Sequence, residues 1–221
     1  MTKTKFRLQA THISWLKAVI HLSALTPLFY TYFAAFSDQL GGDPVEAVLH
    51  FTGISAFNLL LLSLLVSPLA KKFKQGLLVN VRRLLGLYAF FYALIHFSSY
   101  VLFELQQEWS LLLSEIIKRP YITVGFIALL LLSSLALSST KNIQRKLGPK
   151  WQKLHNWVYV AGLLIALHYI WSVKSDLVQP IIYWMMLLSL LWFRRDKLLR
   201  KFKNRKARTR HREKITKKTL A

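Results

Sequence analysis

The sequence predicts an all-α, polytopic membrane protein with six transmembrane helices and both termini on the cytoplasmic side. Three observations carry that expectation. Six stretches, 18–37, 47–70, 84–103, 120–140, 154–173 and 177–193, contain no Asp, Glu, Lys or Arg. Each is about long enough to cross a hydrocarbon core of about 30 Å at about 1.5 Å per helical residue. The 221 residues are 54% hydrophobic yet carry a formal net charge of +22, so charge is segregated from apolar sequence rather than spread over a soluble surface. Finally, of 31 Lys and Arg residues only Lys118, Arg119 and Lys174 fall on one side of a six-span topology. The crowded side is cytoplasmic by the positive-inside rule.

The elements follow in order. Residues 1–12 are expected to form a cytoplasmic amino-terminal segment without a cleavable signal, since the segment after Lys3, Lys5 and Arg7 contains Lys17 and His21 and lacks a small-residue cleavage site. Residues 13–193 form one six-helix membrane domain. Pro27 lies inside the first span and is expected to kink it. Gly41, Gly42 and Asp43 make the first outer turn, and Pro44 starts the second helix. Pro68 is expected to close that helix before Lys71, Lys72 and Lys74. Arg82 and Arg83 open the third helix, Arg119 and Pro120 the fourth, and Gly148 and Pro149 break the inner loop before the fifth. The sixth run is the shortest, and snorkelling Lys174 and Arg194 lengthen it. The basic tail, 194–221, resembles a nucleic-acid arm by composition, but it follows directly on a span. It reads as an anchor on anionic membrane lipid, with no nucleic-acid partner.

The absence of cysteine excludes disulfides, thiolate-ligated haem and cysteine-bound iron–sulfur clusters. No phosphate-binding loop or dinucleotide fingerprint is present. The chemistry therefore falls to histidine. An ionisable group at lipid depth defaults to a functional reading, and imidazole is a common haem ligand. His96 lies thirteen residues beyond Arg83, and His168 thirteen beyond His155. Odd helices run outward, so His96 and His168 are expected at matching outer depth, ligating one haem b from opposite faces.

His155 lies about 19.5 Å inward of His168 on an ideal helix, but about 140° around it. Either that helix departs from α geometry near Gly162, or His155 belongs to a turn before the regular span. His155 would serve an inner haem, so that the chain holds one or two. Its second ligand is open: His21 is the next candidate by depth. His50, at the outer start of the second helix, suits an outer or quinone site. His12 and His211 are given no role. Arg82 lies almost on the face of His96, about 21 Å away along the axis, and Arg82 and Arg83 have a second reading beside anchoring, as partners of haem propionates. Zinc suits these histidines less, because they are spread in depth and no acid accompanies them. Trp151, Trp157, Tyr159, Tyr169 and Trp171 read as interfacial anchors and packing groups. The rival readings are a small proton-coupled transporter with a histidine relay and a scaffold subunit with structural histidines.

Several segments resemble the MsrQ (YedZ) family of haem-binding membrane subunits: DPVEAVLHFTG from Asp43 to Gly53, RRLLGLYAFFYALIHFSSY from Arg82 to Tyr100, RPYITVG from Arg119 to Gly125, RKLGPKWQKLHNWVY from Arg145 to Tyr159, and LHYIWSVK from Leu167 to Lys174. The resemblance implies a ferric-reductase-like membrane domain in the bacterial inner membrane, with haem histidines at His96, His155 and His168. It implies a periplasmic molybdopterin partner, MsrP, which reduces methionine sulfoxide in oxidised envelope proteins. Electrons would come from the quinone pool or a cytoplasmic flavin reductase. FMN is associated with the family, but no flavin motif maps onto these residues. On this reading the chain is an electron-transfer subunit that does not itself reduce the sulfoxide. In larger oxidases of this fold two helices each supply two histidines. Here Arg82 and Arg83 stand where the inner partner would be expected.

Overall fold

A computed structural model describes residues 7–173 and 175–194; the expectations for residues 1–6, Lys174 and the tail beyond Arg194 lie outside them. Among the described residues every regular element is helical. The helices are α1 (Ala10–Phe36), α2 (Pro44–Lys72), α3 (Val79–Ser99), α4 (Trp109–Lys118), α5 (Pro120–Leu137), α6 (Lys141–Leu147), α7 (Pro149–His155), α8 (Val158–Ser172) and α9 (Val178–Arg194). Four helical segments among the described residues are long and apolar enough to cross a membrane: α1, α2, 76–104 around α3, and α5. The fifth and sixth expected spans correspond to α8 and α9, of 15 and 17 residues.

Local chemistry sets the boundaries. Asp43 caps α2, its carboxylate accepting the Glu46 amide at 2.8 Å, and Pro44 occupies the first turn, where a missing N–H costs nothing. Gly148, at φ +48°, separates α6 from α7. The expected inner loop is therefore largely built from two short helices.

Three features depart from or sharpen the expectations. First, α2 does not stop at Pro68 but continues to Lys72. Proline removes the amide that would pair with the carbonyl four residues earlier, and that carbonyl, on Leu64, instead accepts a hydrogen bond from Nη2 of the buried Arg194. The same guanidinium donates Nη1 to the Tyr159 hydroxyl at 2.8 Å. Second, His155 ends α7, with two residues between it and the start of α8 at Val158, so it belongs to a separate turn and α8 runs unbroken through Gly162. Third, α4 interrupts the stretch before α5. Trp109, Leu112, Leu113, Ile116 and Ile117 recur at helical spacing, a pattern legible in the sequence but overshadowed by the longer apolar runs.

The bundle rests on two extensive helix pairs, α3 on α2 and α8 on α5. Helix α9 closes over them, placing Leu187 and Leu190 against Phe57, Leu61 and Leu64 of α2 and Ala166 of α8. Polar side chains join the helices at depth. Tyr92 donates to the Ala24 carbonyl, Tyr183 to Asn58 at 2.8 Å, and Tyr32 meets Ser99 at 2.5 Å. Such links hold helices together where water is excluded. The outer faces are apolar: Trp15, Leu22, Phe29 and Phe33 of α1, and Met185, Leu188, Trp192 and Phe193 of α9, are exposed. A soluble monomer rarely shows so continuous an apolar surface, whereas a bilayer requires one. This is a membrane protein.

Candidate functional site

His96 projects from the last turn of α3 and His168 from the carboxy-terminal half of α8. Their ring centroids lie 6.2 Å apart, and the ring planes stand at 81° to one another. The two residues matched by residue counting are thus brought together, ring edge toward ring face.

Each imidazole is held by a neighbouring backbone. His96 Nδ1 donates to the Leu49 carbonyl of α2 at 2.9 Å, with the Thr52 hydroxyl 3.3 Å away. His168 Nδ1 donates to the Tyr121 carbonyl of α5 at 2.8 Å. Both carbonyls belong to intact helical turns and remain accessible for a shared reason. A helical side chain covers the turn on its amino-terminal side, and the residue four beyond each carbonyl is glycine, Gly53 after Leu49 and Gly125 after Tyr121. A Cβ on Gly53 would lie 3.1 Å from His96 Cε1, and one on Gly125 2.7 Å from His168 Nδ1. The rings rest in notches that only glycine leaves open.

This geometry fits an iron porphyrin better than a bare ion. With Nδ1 donating, the neutral ring presents its lone pair at Nε2; the carbonyl fixes tautomer and orientation, as outer-shell partners of ligating histidines do. Two metal–imidazole bonds of about 2 Å, plus about 1 Å from each nitrogen to its ring centre, require centroids about 6 Å apart. A bare ion takes three or four protein donors, and among the described residues no group of three or more His, Cys, Asp or Glu is placed to hold one. A porphyrin brings four nitrogens of its own. Phe97 and Phe126, whose rings are 5.7 Å apart, follow His96 and Gly125 in the chain and add apolar flanks.

The other candidates are dispersed. His155 Nε2 and the Ser138 hydroxyl at the end of α5 are 3.2 Å apart, and the imidazole stacks on Trp151 with ring centroids at 4.0 Å. Trp151 itself donates to the Ser138 carbonyl at 2.9 Å. His21 does not join this group: it sits on α1, its Nδ1 2.5 Å from the Tyr88 hydroxyl of α3. His50 is exposed, its ring 6.5 Å from that of Tyr169. Arg82 is half-buried, close enough for its charge to act on His155 and Arg194, while Arg83 is exposed. Gly53 and Gly125 were not foreseen as site residues. The signal available was their position, since each closes one of the segments that carry the resemblance.

The fold and this pair of opposed membrane histidines define a class, the ferric reductase-like transmembrane component, whose family model matches residues 51–166. Named relatives narrow it. The chain is 47% identical over 192 residues to the protein-methionine-sulfoxide reductase heme-binding subunit MsrQ of Enterobacter sp. (strain 638), covering 86% of this chain and 96% of that protein. It is 49% identical over 189 residues to MsrQ of Salmonella paratyphi B, covering 85% and 95%. The chain belongs to the MsrQ family.

Proposed function

We propose that this protein is a b-type cytochrome subunit of a methionine sulfoxide reductase system. It would hold one haem b between His96 and His168. The observation that carries the reading is the opposed pair itself, two rings 6.2 Å apart with both Nδ1 atoms engaged by backbone carbonyls. A bound haem supplies a one-electron ferric–ferrous couple. His96 and His168 would hold that haem from its two sides, so the chain would pass electrons and a partner would perform the reduction. Gly53, Gly125 and the two carbonyls keep the ligand rings oriented, and the surrounding apolar side chains exclude water.

The topology proposed is six spans in the bacterial inner membrane with both termini cytoplasmic: 1–12 inside, 13–193 as the membrane domain, 194–221 as a basic tail on lipid. Electrons would enter from the quinone pool or a cytoplasmic flavin reductase and leave to the periplasmic molybdopterin reductase MsrP. The names of the relatives, which describe a haem-binding subunit of protein-methionine-sulfoxide reductase, support the reaction class. His155 and Arg82 would line the inner side of the path, Arg83 the membrane surface, and FMN is assigned no residues.

The test is the reduced-minus-oxidised absorption spectrum of the purified protein produced with full haem supply. A Soret and α-band shift on dithionite is expected in the parent protein and absent from both His96→Ala and His168→Ala. A spectrum without haem bands, or two variants that lose spectrally different haems, overturns the reading.

A further inference from the structure

We propose that Gly53 and Gly125 are positioning residues for the haem-ligand imidazoles, each opening a helical-turn notch that holds one ring against a backbone carbonyl and together holding the two ring planes near perpendicular. The inference rests on the haem reading above and extends it to residues that touch neither iron nor porphyrin by necessity.

The same device occurs twice on unrelated sequence. In α2 the notch is Leu49 carbonyl and Gly53; in α5 it is Tyr121 carbonyl and Gly125. A helix interior disfavours glycine by roughly 1 kcal/mol relative to alanine, so glycine at both places calls for a local reason. The imidazoles provide it, because both rings occupy the volume that a Cβ would take. The two notches differ in tightness. At Gly125 an added Cβ meets His168 Nδ1 at 2.7 Å and Cε1 at 2.9 Å, closer than a Cβ approaches other heavy atoms, with Cγ at 3.1 Å, and the ring must move. At Gly53 the closest approaches are 3.1 and 3.2 Å to His96, which a shift of a few tenths of an ångström relieves. Gly86, also on a membrane helix, faces only the Ser63 hydroxyl at 3.7 Å. The helices α2 and α5 thus dictate ring orientation to α3 and α8 across the two most extensive packing pairs of the bundle.

Ring orientation has an electronic consequence. Perpendicular axial imidazoles donate into different iron dπ orbitals and leave these nearly degenerate, which produces a highly anisotropic low-spin ferric signal in electron paramagnetic resonance. A rotated ring separates the orbitals and lowers the largest g value.

The experiment compares the haem-loaded, full-length parent with Gly125→Ala, Gly53→Ala and Gly86→Ala, reading haem content, the ferric resonance spectrum and the midpoint potential, with helicity by circular dichroism as the folding control. The expected parent signal is low-spin with a large principal g value. Gly125→Ala should shift that signal or convert part of the haem to high spin; Gly53→Ala should do so less; Gly86→Ala should reproduce the parent. An unchanged spectrum and haem content in Gly125→Ala overturns the proposal. So does equal disturbance in all three variants, which would mark general packing damage. If Gly125→Ala fails to fold, the order of Gly53→Ala against Gly86→Ala decides. Failure of the haem reading itself is distinct: His96→Ala would then leave the parent spectrum intact.

Discussion

The two ends of α8, outer and inner on the proposed topology, carry superficially similar groups and treat them differently. At the outer end, His168 lends Nδ1 to a carbonyl and faces His96. At the inner end, just before α8, His155 has its Nε2 at the Ser138 hydroxyl and its ring on Trp151. The contrast lies in which nitrogen the protein uses. A ligating histidine needs one nitrogen anchored and the other available, and the outer pair meets this condition twice, each ring giving Nδ1 to a backbone carbonyl and keeping Nε2. The inner ring is instead held through the nitrogen farther from the backbone, and the histidine nominated to meet it, His21, is engaged with Tyr88. Position at membrane depth thus marks a histidine as noteworthy, whereas its hydrogen-bond partners distinguish the proposed ligand pair from His155.

The most damaging changes to the outer end should be His96→Ala and His168→Ala. Each is expected to abolish essentially all low-spin haem, because one imidazole cannot maintain a six-coordinate site alone; the pyridine haemochrome assay reads the loss. The inner end should respond far less. One haem per chain is expected, and His155→Ala should retain it; a second haem that vanishes with His155→Ala would erase the contrast drawn between the two ends.

A smaller effect concerns stability near the inner end. Arg194→Ala leaves the Leu64 carbonyl, orphaned by Pro68, without its donor, and an unsatisfied buried acceptor costs roughly 1–3 kcal/mol. In a Pro68→Ala background the restored amide at position 68 can pair with that carbonyl. The double-mutant cycle should therefore show coupling on the order of 1 kcal/mol in denaturant unfolding in detergent, and additivity would remove Arg194 from this role. The smallest change expected is Thr52→Val. Its hydroxyl donates to the Val48 carbonyl at 2.7 Å and lies 3.3 Å from His96 Nδ1, while the stronger Leu49 contact remains. Haem content should be preserved, with a slight shift of midpoint potential in a redox titration.

How far the site was legible depends on the range of the forces involved. His96 and His168 could be matched because axial rise is nearly constant in any helix, so counting from the basic residues at the membrane edge measures depth. The azimuth of His155 could be questioned for the same reason, and the mismatch is resolved by a turn at residues 156 and 157 rather than by distortion of α8. The continuation of α2 past Pro68 was not legible, since the compensating donor lies 130 residues away in sequence. Nor were the notches. Gly53 and Gly125 read as ordinary membrane-helix glycines until the imidazole of another helix is seen against each.

By itself, the sequence determined that this chain is a helical membrane protein, where its main apolar segments lie, and which imidazoles fall within them. These properties follow from local hydrophobicity, charge segregation and a fixed rise per residue, none of which needs a contact between distant segments. Only the tertiary structure decided which imidazoles meet, which nitrogen each can offer, and which glycines make room for them. Those outcomes depend on the rotation of one helix against another, where displacements below 1 Å separate contact from overlap and each backbone carbonyl's accessibility is set by the side chain one turn further on.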